Sequence, residues 1–374
     1  MDMRAVNSGS SKKKIALCWA LMFVLLLALT GCATQSSVSS ASETSDTEPV
    51  GTENGQSQQT ESMDTANTEI SESEITDGEI ASENGVSTVS VSFENEDSGL
   101  NLAGILFLPD GFDETSQYSA VVVTGPMLSV KEQAQSIYAE RLAENGFVTL
   151  VFDYSYFGES EGEPRQLEEP DIKASDISSA VTYLQSLDYV DSENIGGLGI
   201  CGSGSYMPYA AIQDERIKAV TSVVPATTMS SMIMMSTEQA EADREAYEAG
   251  EADPTYIDLM PRAYAEGAAY YYNEERGYRD NWDNHAVSWS ELSWVDFHPE
   301  EFIAELEAPY LIITGENAWS RSGAEQLYEN TTSEKEFYVI EGAGHFDMYD
   351  LEPYVTQALD YIVPFFETYL NAAA

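Results

Sequence analysis

The residue with the clearest potential for chemistry is Cys201. It follows an apolar run at 195–200 that predicts a buried strand, and Gly199 and Gly202 flank it before a predicted helix. A sharp turn from strand to helix needs small neighbours, because the residue at its tip has a strained backbone. A thiol there could act as a nucleophile, since a helix N-terminus and a nearby base lower the thiol pKa. The alternatives are an inert, packed cysteine and attack by Ser203 instead.

Three segments carry a resemblance to a known family. Residues 199–204 resemble the G-x-S-x-G turn that holds the nucleophile in the α/β-hydrolase superfamily, with Cys201 at the central position. Residues 152–160 resemble the superfamily's D-x-R-G-x-G-x-S loop, and residues 342–346 resemble its G-x-G-H segment. The central cysteine is similar to that of dienelactone hydrolases and their relatives. The resemblance covers about residues 86–371 and implies an α/β-hydrolase fold.

The resemblance also implies a role for each site residue. His345 would take the thiol proton, and the backbone N–H groups of Gly202 and Met127 would hold the oxyanion. The acid that orients the histidine usually lies in a G-x-x-D loop, but Ala318 occupies the aspartate position here. Glu316 is the nearest carboxylate and is the acid that we predict. A Cys–His pair could also work without an acid, because cysteine needs less activation than serine.

The function implied by this resemblance is hydrolysis of an ester, thioester or lactone through attack by Cys201. Aromatic residues and methionines at about 225–307 predict a small-molecule acyl substrate with an apolar portion. The alternatives are a peptidase of the same fold, a degenerate fold that binds a ligand or cell-surface partner without turnover, and redox sensing by the free thiol. We expect no cofactor, and three histidines without metal-ligand spacing argue against a metal site.

The elements that position these residues follow from the apolar patterns after residue 86. Short β-rich runs alternate with helical patterns, which predicts an α/β fold: a mostly parallel central sheet with helices on both faces. The alternation breaks at about 225–307, where Met, Tyr and Trp are frequent. We predict that this stretch is a mostly helical cap over the carboxyl edge of the sheet, the edge at which open α/β sheets bind ligands.

The first 85 residues predict export and a lipid anchor. Residues 1–31 combine a basic start with a short apolar run, which is typical of a secretion signal. The run ends in Leu-Thr-Gly-Cys, which resembles the lipobox of bacterial lipoproteins and implies acyl chains on Cys32. An uncleaved anchor helix is the alternative, although the run is short for a membrane span. Residues 32–85 are polar and acidic, which predicts a disordered tether on the outer face of the cell membrane.

Charge and cysteine content exclude further classes. The formal net charge is -49, and removal of the four basic and one acidic residues within 1–31 leaves a charge near -52. Such a protein repels phosphate backbones, which excludes nucleic-acid binding. Cys18 would leave with the signal and Cys32 would carry lipid, so Cys201 would have no disulfide partner.

Overall fold

The computed structural model describes residues 80–81 and 84–370. The predicted signal at 1–31, the lipidation site at Cys32 and nearly all of the predicted tether at 32–85 lie outside these residues. Across the described residues, every helix falls short of the length and hydropathy that a bilayer crossing requires.

A mostly parallel sheet forms the centre of the described domain. The described strands are β1 (Ile80–Ala81), β2 (Ser87–Glu94), β3 (Asn101–Leu108), β4 (Tyr118–Thr124), β5 (Val148–Phe152), β6 (Val190–Ile200), β7 (Ile217–Val223), β8 (Tyr256–Asp258), β9 (His285–Val287), β10 (Tyr310–Gly315) and β11 (Lys335–Ile340). Nine of them pair in the order β1–β2–β3–β5–β4–β6–β7–β10–β11. The pairs from β1 to β5 are antiparallel, and those from β5 to β11 are parallel. The predicted sheet is confirmed.

Helices cover both faces of this sheet. They are α1 (Ala134–Ala143), α2 (Pro170–Gln185), α3 (Ser203–Gln213), α4 (Thr237–Glu248), α5 (Ala265–Tyr271), α6 (Glu291–Trp294), α7 (Pro299–Phe302), α8 (Arg321–Asn330), α9 (Asp347–Asp350) and α10 (Tyr354–Tyr369). Alternate residues of a strand point to opposite faces. Accordingly, Val121 and Val123 of β4 are in one buried cluster with α1 and α10, while Ala120 and Val122 are in another with α2 and α3.

The segment between β7 and β10 includes the stretch that we predict as a cap. It holds α4 to α7 and also a two-stranded antiparallel sheet of β8 and β9, which the sequence did not predict. Arg276 joins this segment to the chain after β11. Its guanidinium forms an ion pair with Asp350 at 2.5 Å and donates to the Phe346 carbonyl at 3.0 Å. The inserted segment therefore contacts the loop that carries the predicted catalytic histidine.

The turn between β6 and α3 positions the predicted nucleophile. Cys201 has a φ of 56°, a left-handed conformation that costs about 1–2 kcal/mol for a side chain other than glycine. A Cβ at Gly199 would overlap the carbonyl oxygen of Ser203, so only glycine fits there. The Cys201 N–H donates to the Val223 carbonyl at 3.0 Å, and the Ala226 N–H donates to the Cys201 carbonyl at 2.8 Å. These bonds to the end of β7 and to the chain directly after it hold the strained turn in place.

Candidate active site

The Cys201 sulfur lies in a buried position, near two backbone N–H groups and one hydroxyl group. The residue is 5% exposed. The backbone N–H groups of Gly202 and Met127 and the hydroxyl of Tyr349 lie close enough to the sulfur to stabilise its thiolate form. The two N–H groups are those predicted to hold the oxyanion, so the structure brings Cys201, Gly202 and Met127 together. In the resting protein these two N–H groups lie near the sulfur itself.

The alternative nucleophile, Ser203, is engaged elsewhere. Its side chain is fully buried, and its hydroxyl lies 2.9 Å from the hydroxyl of Tyr154. The oxyanion donors surround the sulfur of Cys201 instead. The geometry therefore favours Cys201 over Ser203 as the reacting group.

The resting thiol is neutral at physiological pH. Burial raises the pKa of Cys201 to about 11, although the hydrogen bonds from Tyr349, Gly202 and Met127 act in the opposite direction. The charge of the buried Glu168 carboxylate raises this pKa further. The sequence predicted a lowered thiol pKa, and the structure differs because desolvation outweighs the donors.

His345 is fully buried, and both of its ring nitrogens face hydroxyl groups. Nε2 lies 3.0 Å from the Tyr349 hydroxyl, and Nδ1 lies 2.9 Å from the Ser320 hydroxyl. The Ser320 hydroxyl also donates to the Val224 carbonyl at 3.3 Å. The Trp319 ring stacks on the imidazole with centroids 4.2 Å apart. Burial lowers the pKa of His345 to about 3, so the imidazole is neutral at rest.

The structure does not bring Glu316 to the imidazole. Its carboxylate is exposed at the turn after β10 and accepts the Gly342 N–H at 2.9 Å. The group at Nδ1 is the hydroxyl of Ser320, at the start of α8. The prediction of Glu316 as the acid is therefore wrong, and the hydroxyl groups of Ser320 and Tyr349 contact the His345 ring instead. The physical reason is that Glu316 caps a backbone N–H on the surface, whereas Ser320 is buried beside His345.

The Tyr349 hydroxyl lies between the thiol and the imidazole. It lies near the Cys201 sulfur and 3.0 Å from His345 Nε2. The hydroxyl of Tyr271, from the inserted segment, also lies near that of Tyr349. The sequence analysis missed Tyr349. Its spacing of four residues from His345 is the signal that could have found it, because such residues share one face of a helical turn.

A buried ion pair supports the loop that presents the Met127 N–H group. Lys173 lies 3.1 Å from Glu168, and both side chains are almost wholly inaccessible to solvent. The Glu168 carboxylate accepts the Tyr206 hydroxyl at 2.8 Å and the Leu128 N–H at 3.4 Å. Leu128 follows Met127 directly in sequence, so Glu168 fixes the backbone beside the predicted oxyanion donor.

An apolar cavity of about 430 Å³ adjoins the histidine. Trp319 separates the two, because its ring stacks on His345 and also lines the cavity. The lining residues are Thr228, Met234, Asp258, Leu259, Met260, Pro261, Tyr264 and Trp319. Most of them belong to the inserted segment, whose apolar side chains are those predicted to receive the substrate. The volume falls in the range of small-molecule sites, about 300–1,000 Å³.

The other two histidines lie in the inserted segment and make surface contacts. His285 pairs with Asp258 at 3.1 Å, and His298 lies 3.6 Å from Glu300. Within residues 80–81 and 84–370, no three His, Cys, Asp or Glu side chains are grouped so that they could hold a metal ion.

The raised pKa of Cys201 predicts how the thiol reacts with iodoacetamide. Below a pKa of about 11, the reactive thiolate fraction grows about tenfold per pH unit. We expect the alkylation rate at Cys201, measured by mass spectrometry of the labelled peptide, to rise about tenfold for each pH unit between pH 7 and pH 10. A rate that already reaches its plateau below pH 8 would show an activated thiolate and contradict the neutral resting state.

The lowered pKa of His345 predicts destabilisation in acid. The unfolded chain binds a proton at this residue below about pH 6.5, whereas the native state does so only near pH 3. As the pH falls between these values, protonation of His345 in the unfolded chain should lower the free energy of unfolding by about 1.4 kcal/mol per pH unit. Urea unfolding of the wild type and of His345→Gln measures this difference. If the free energy of unfolding changed equally with pH in the two proteins, this prediction would be wrong.

Comparison with known proteins gives the family. Residues 111–356 match the model of the alpha/beta hydrolase family. The Escherichia coli (strain K12) protein YcjY is 36% identical over 300 residues, which cover 74% of this chain and 97% of YcjY. The crystal structure of PA2218 from Pseudomonas aeruginosa superposes with a TM-score of 0.70 at 32% identity, over 78% of this chain and 95% of that one. A thiohydrolase of Eupenicillium brefeldianum is 27% identical over 275 residues, which cover 69% of this chain and 87% of the thiohydrolase. The predicted fold and the prediction of a hydrolase are confirmed, and the chain belongs to the alpha/beta hydrolase family.

Proposed function

We propose that the protein hydrolyses a thioester or ester of an apolar acyl group, including lactones, through nucleophilic attack by Cys201. The observation that carries this proposal is the convergence of two backbone N–H groups on the sulfur at the tip of a strained turn. The apolar cavity beside His345 supports an acyl substrate. The similarity to a thiohydrolase supports the same class of bond.

The reaction begins when the Cys201 thiol loses its proton toward His345. The sulfur then attacks the carbonyl carbon, while the carbonyl oxygen takes the place between the N–H groups of Gly202 and Met127. The tetrahedral intermediate expels the leaving group, which receives a proton from the imidazolium. Water, deprotonated by His345, then releases the acid from the acyl-enzyme.

The partners of His345 favour thioesters over amides. A hydroxyl, not a carboxylate, contacts Nδ1, so the imidazolium formed during catalysis lacks a paired negative charge. A thiol leaving group has a pKa near 8.5 and departs as a thiolate with little help. An amine must be protonated before it leaves, which demands more of the imidazolium. This reasoning ranks a thioester first, an ester or lactone second, and a peptide substrate last.

A binding protein without turnover is the second candidate. The neutral thiol, the neutral imidazole and the hydroxyl in place of a carboxylate favour it. In that case the apolar cavity would hold a ligand, and Cys201 would form no covalent bond. Activity measurements separate the two candidates.

Hydrolysis of acyl thioesters and p-nitrophenyl esters of increasing chain length tests the enzymatic proposal. We expect thioesters to react faster than esters of the same acyl group. Cys201→Ala should abolish the reaction, and His345→Ala should reduce the rate about 10²–10⁴-fold because the base is lost. Ser203→Ala is the matched control and should retain the rate. Equal signals from wild type and Cys201→Ala would favour the binding protein.

We further propose that the protein is exported and held at the outer face of a bacterial membrane by acyl chains on Cys32. The basic start and apolar run within 1–31, followed by Leu-Thr-Gly-Cys, support this anchor. The acidic stretch 32–85 would then act as a tether, because it is too polar to bury a core.

Detergent-phase partition of the full chain, expressed in a bacterium, tests the anchor. We expect the wild type in the detergent phase, because acyl chains favour apolar surroundings. Cys32→Ser should move to the aqueous phase, and Cys18→Ser, which changes the predicted signal only, should not. A Cys32→Ser protein that stays in the detergent phase would rule out lipidation at Cys32.

A further inference from the structure

Tyr349 is held rigidly between the two reacting groups. The side chain is fully buried. Its ring packs against Tyr270 with centroids 5.0 Å apart and against Phe346 at 5.2 Å. Its hydroxyl contacts both the Cys201 sulfur and His345 Nε2. Packing therefore fixes a hydroxyl group at the point where a proton must pass from thiol to base.

The carbonyl of Val224 only accepts, and the Ser320 hydroxyl has a single proton. When that proton is directed at Val224, across 3.3 Å, Nδ1 of His345 donates to the Ser320 oxygen. A neutral imidazole with its proton on Nδ1 has a free lone pair on Nε2. The Tyr349 hydroxyl then donates to Nε2, and its oxygen accepts the S–H proton of Cys201. Each donor in this buried hydrogen-bond series points from the thiol toward the imidazole.

We propose that Tyr349 is a catalytic residue that relays the proton of the Cys201 thiol to His345. The S–H bond breaks as an O–H bond forms on the Tyr349 oxygen, and the original O–H bond breaks as an N–H bond forms at Nε2. The products are a thiolate, an imidazolium and a tyrosine that is neutral again. The proposal rests on the proposed function in that Cys201 is the nucleophile.

The relay must move both protons together. Burial and the neighbouring Cys201 thiolate raise the pKa of Tyr349 well above its ordinary value, so a free tyrosinate would be costly. Packing against Tyr270 and Phe346 keeps the phenol oxygen in place during this transfer. Concerted transfer avoids both a tyrosinate and a doubly protonated phenol.

The test compares Tyr349→Phe with Tyr270→Phe in the full chain. Tyr270 is equally buried and packs on Tyr349, and its hydroxyl is directed to the backbone of Ala134. Both variants lose one buried hydroxyl, but only Tyr349→Phe interrupts the series. Urea unfolding establishes that both are folded.

We expect Tyr349→Phe to slow acylation by a thioester about 10²-fold, since general acid–base groups contribute 10²–10⁴-fold. In mixtures of H₂O and D₂O, the acylation rate of the wild type should vary quadratically with deuterium content, as two protons move together. The variation should become linear in Tyr349→Phe. Tyr270→Phe should retain the wild-type rate and the quadratic form.

Alkylation of Cys201 by iodoacetamide at pH 8 gives a readout independent of hydrolysis. Loss of a hydrogen bond to the developing thiolate should slow alkylation about tenfold in Tyr349→Phe and leave Tyr270→Phe unchanged. Wild-type rates of acylation and alkylation in Tyr349→Phe, or equal losses in both variants, would overturn the relay. A wild type that alkylates as expected but hydrolyses no better than Cys201→Ala would overturn the proposed function, while slower alkylation of Tyr349→Phe would still support the relay geometry.

Discussion

The burial of a thiol and an imidazole with no charged group in contact with either is the constraint on which the site depends. Burying an isolated ion in such surroundings costs roughly several kcal/mol, even after the protein relaxes around it. Cys201 and His345 therefore stay neutral, and their partners are hydroxyl and backbone N–H groups. This explains why a serine, Ser320, contacts Nδ1 of His345, where the family pattern predicts an acid. A hydroxyl satisfies Nδ1 without adding a second charge that would need its own counter-ion.

Charged side chains lie beyond the residues that contact Cys201 and His345, and they fix the backbone of the loop after β4. Two points in the loop after β4 are tied to buried carboxylates: the Leu128 N–H donates to Glu168, and the Lys131 N–H donates to Asp153 at 2.7 Å. Each carboxylate has a buried lysine partner at about 3 Å, so the cost of burying the charge is offset by pairing and hydrogen bonds. The Met127 N–H lies in this fixed loop, which keeps it directed at the sulfur.

The sequence predicted the parts of the molecule that depend on periodic patterns. Apolar alternation indicated the parallel sheet, and the small residues around Cys201 indicated the strained turn. The parts that depend on side-chain packing were not accessible. Glu316 was the nearest carboxylate in sequence, but it caps Gly342 on the surface. The spacing of Tyr349 from His345 hinted at a shared face, but nothing in the sequence showed that the helical turn 347–350 lies beside the thiol. The thiol pKa was mispredicted for the same reason, since desolvation depends on the whole fold.

Because the thiol is neutral, the same two backbone N–H groups can serve both the resting site and the proposed reaction. The N–H groups of Gly202 and Met127 lie near the sulfur at rest, and in the proposed reaction the same groups hold the carbonyl oxygen. A thiolate between them would be bound by charge-assisted hydrogen bonds, about twice as strong as neutral ones, and would compete with the substrate. A thiol is a weak acceptor, so a carbonyl oxygen displaces it at little cost. Deprotonation through Tyr349 is then useful only once the oxygen has taken the donors, which links formation of the nucleophile to the presence of substrate.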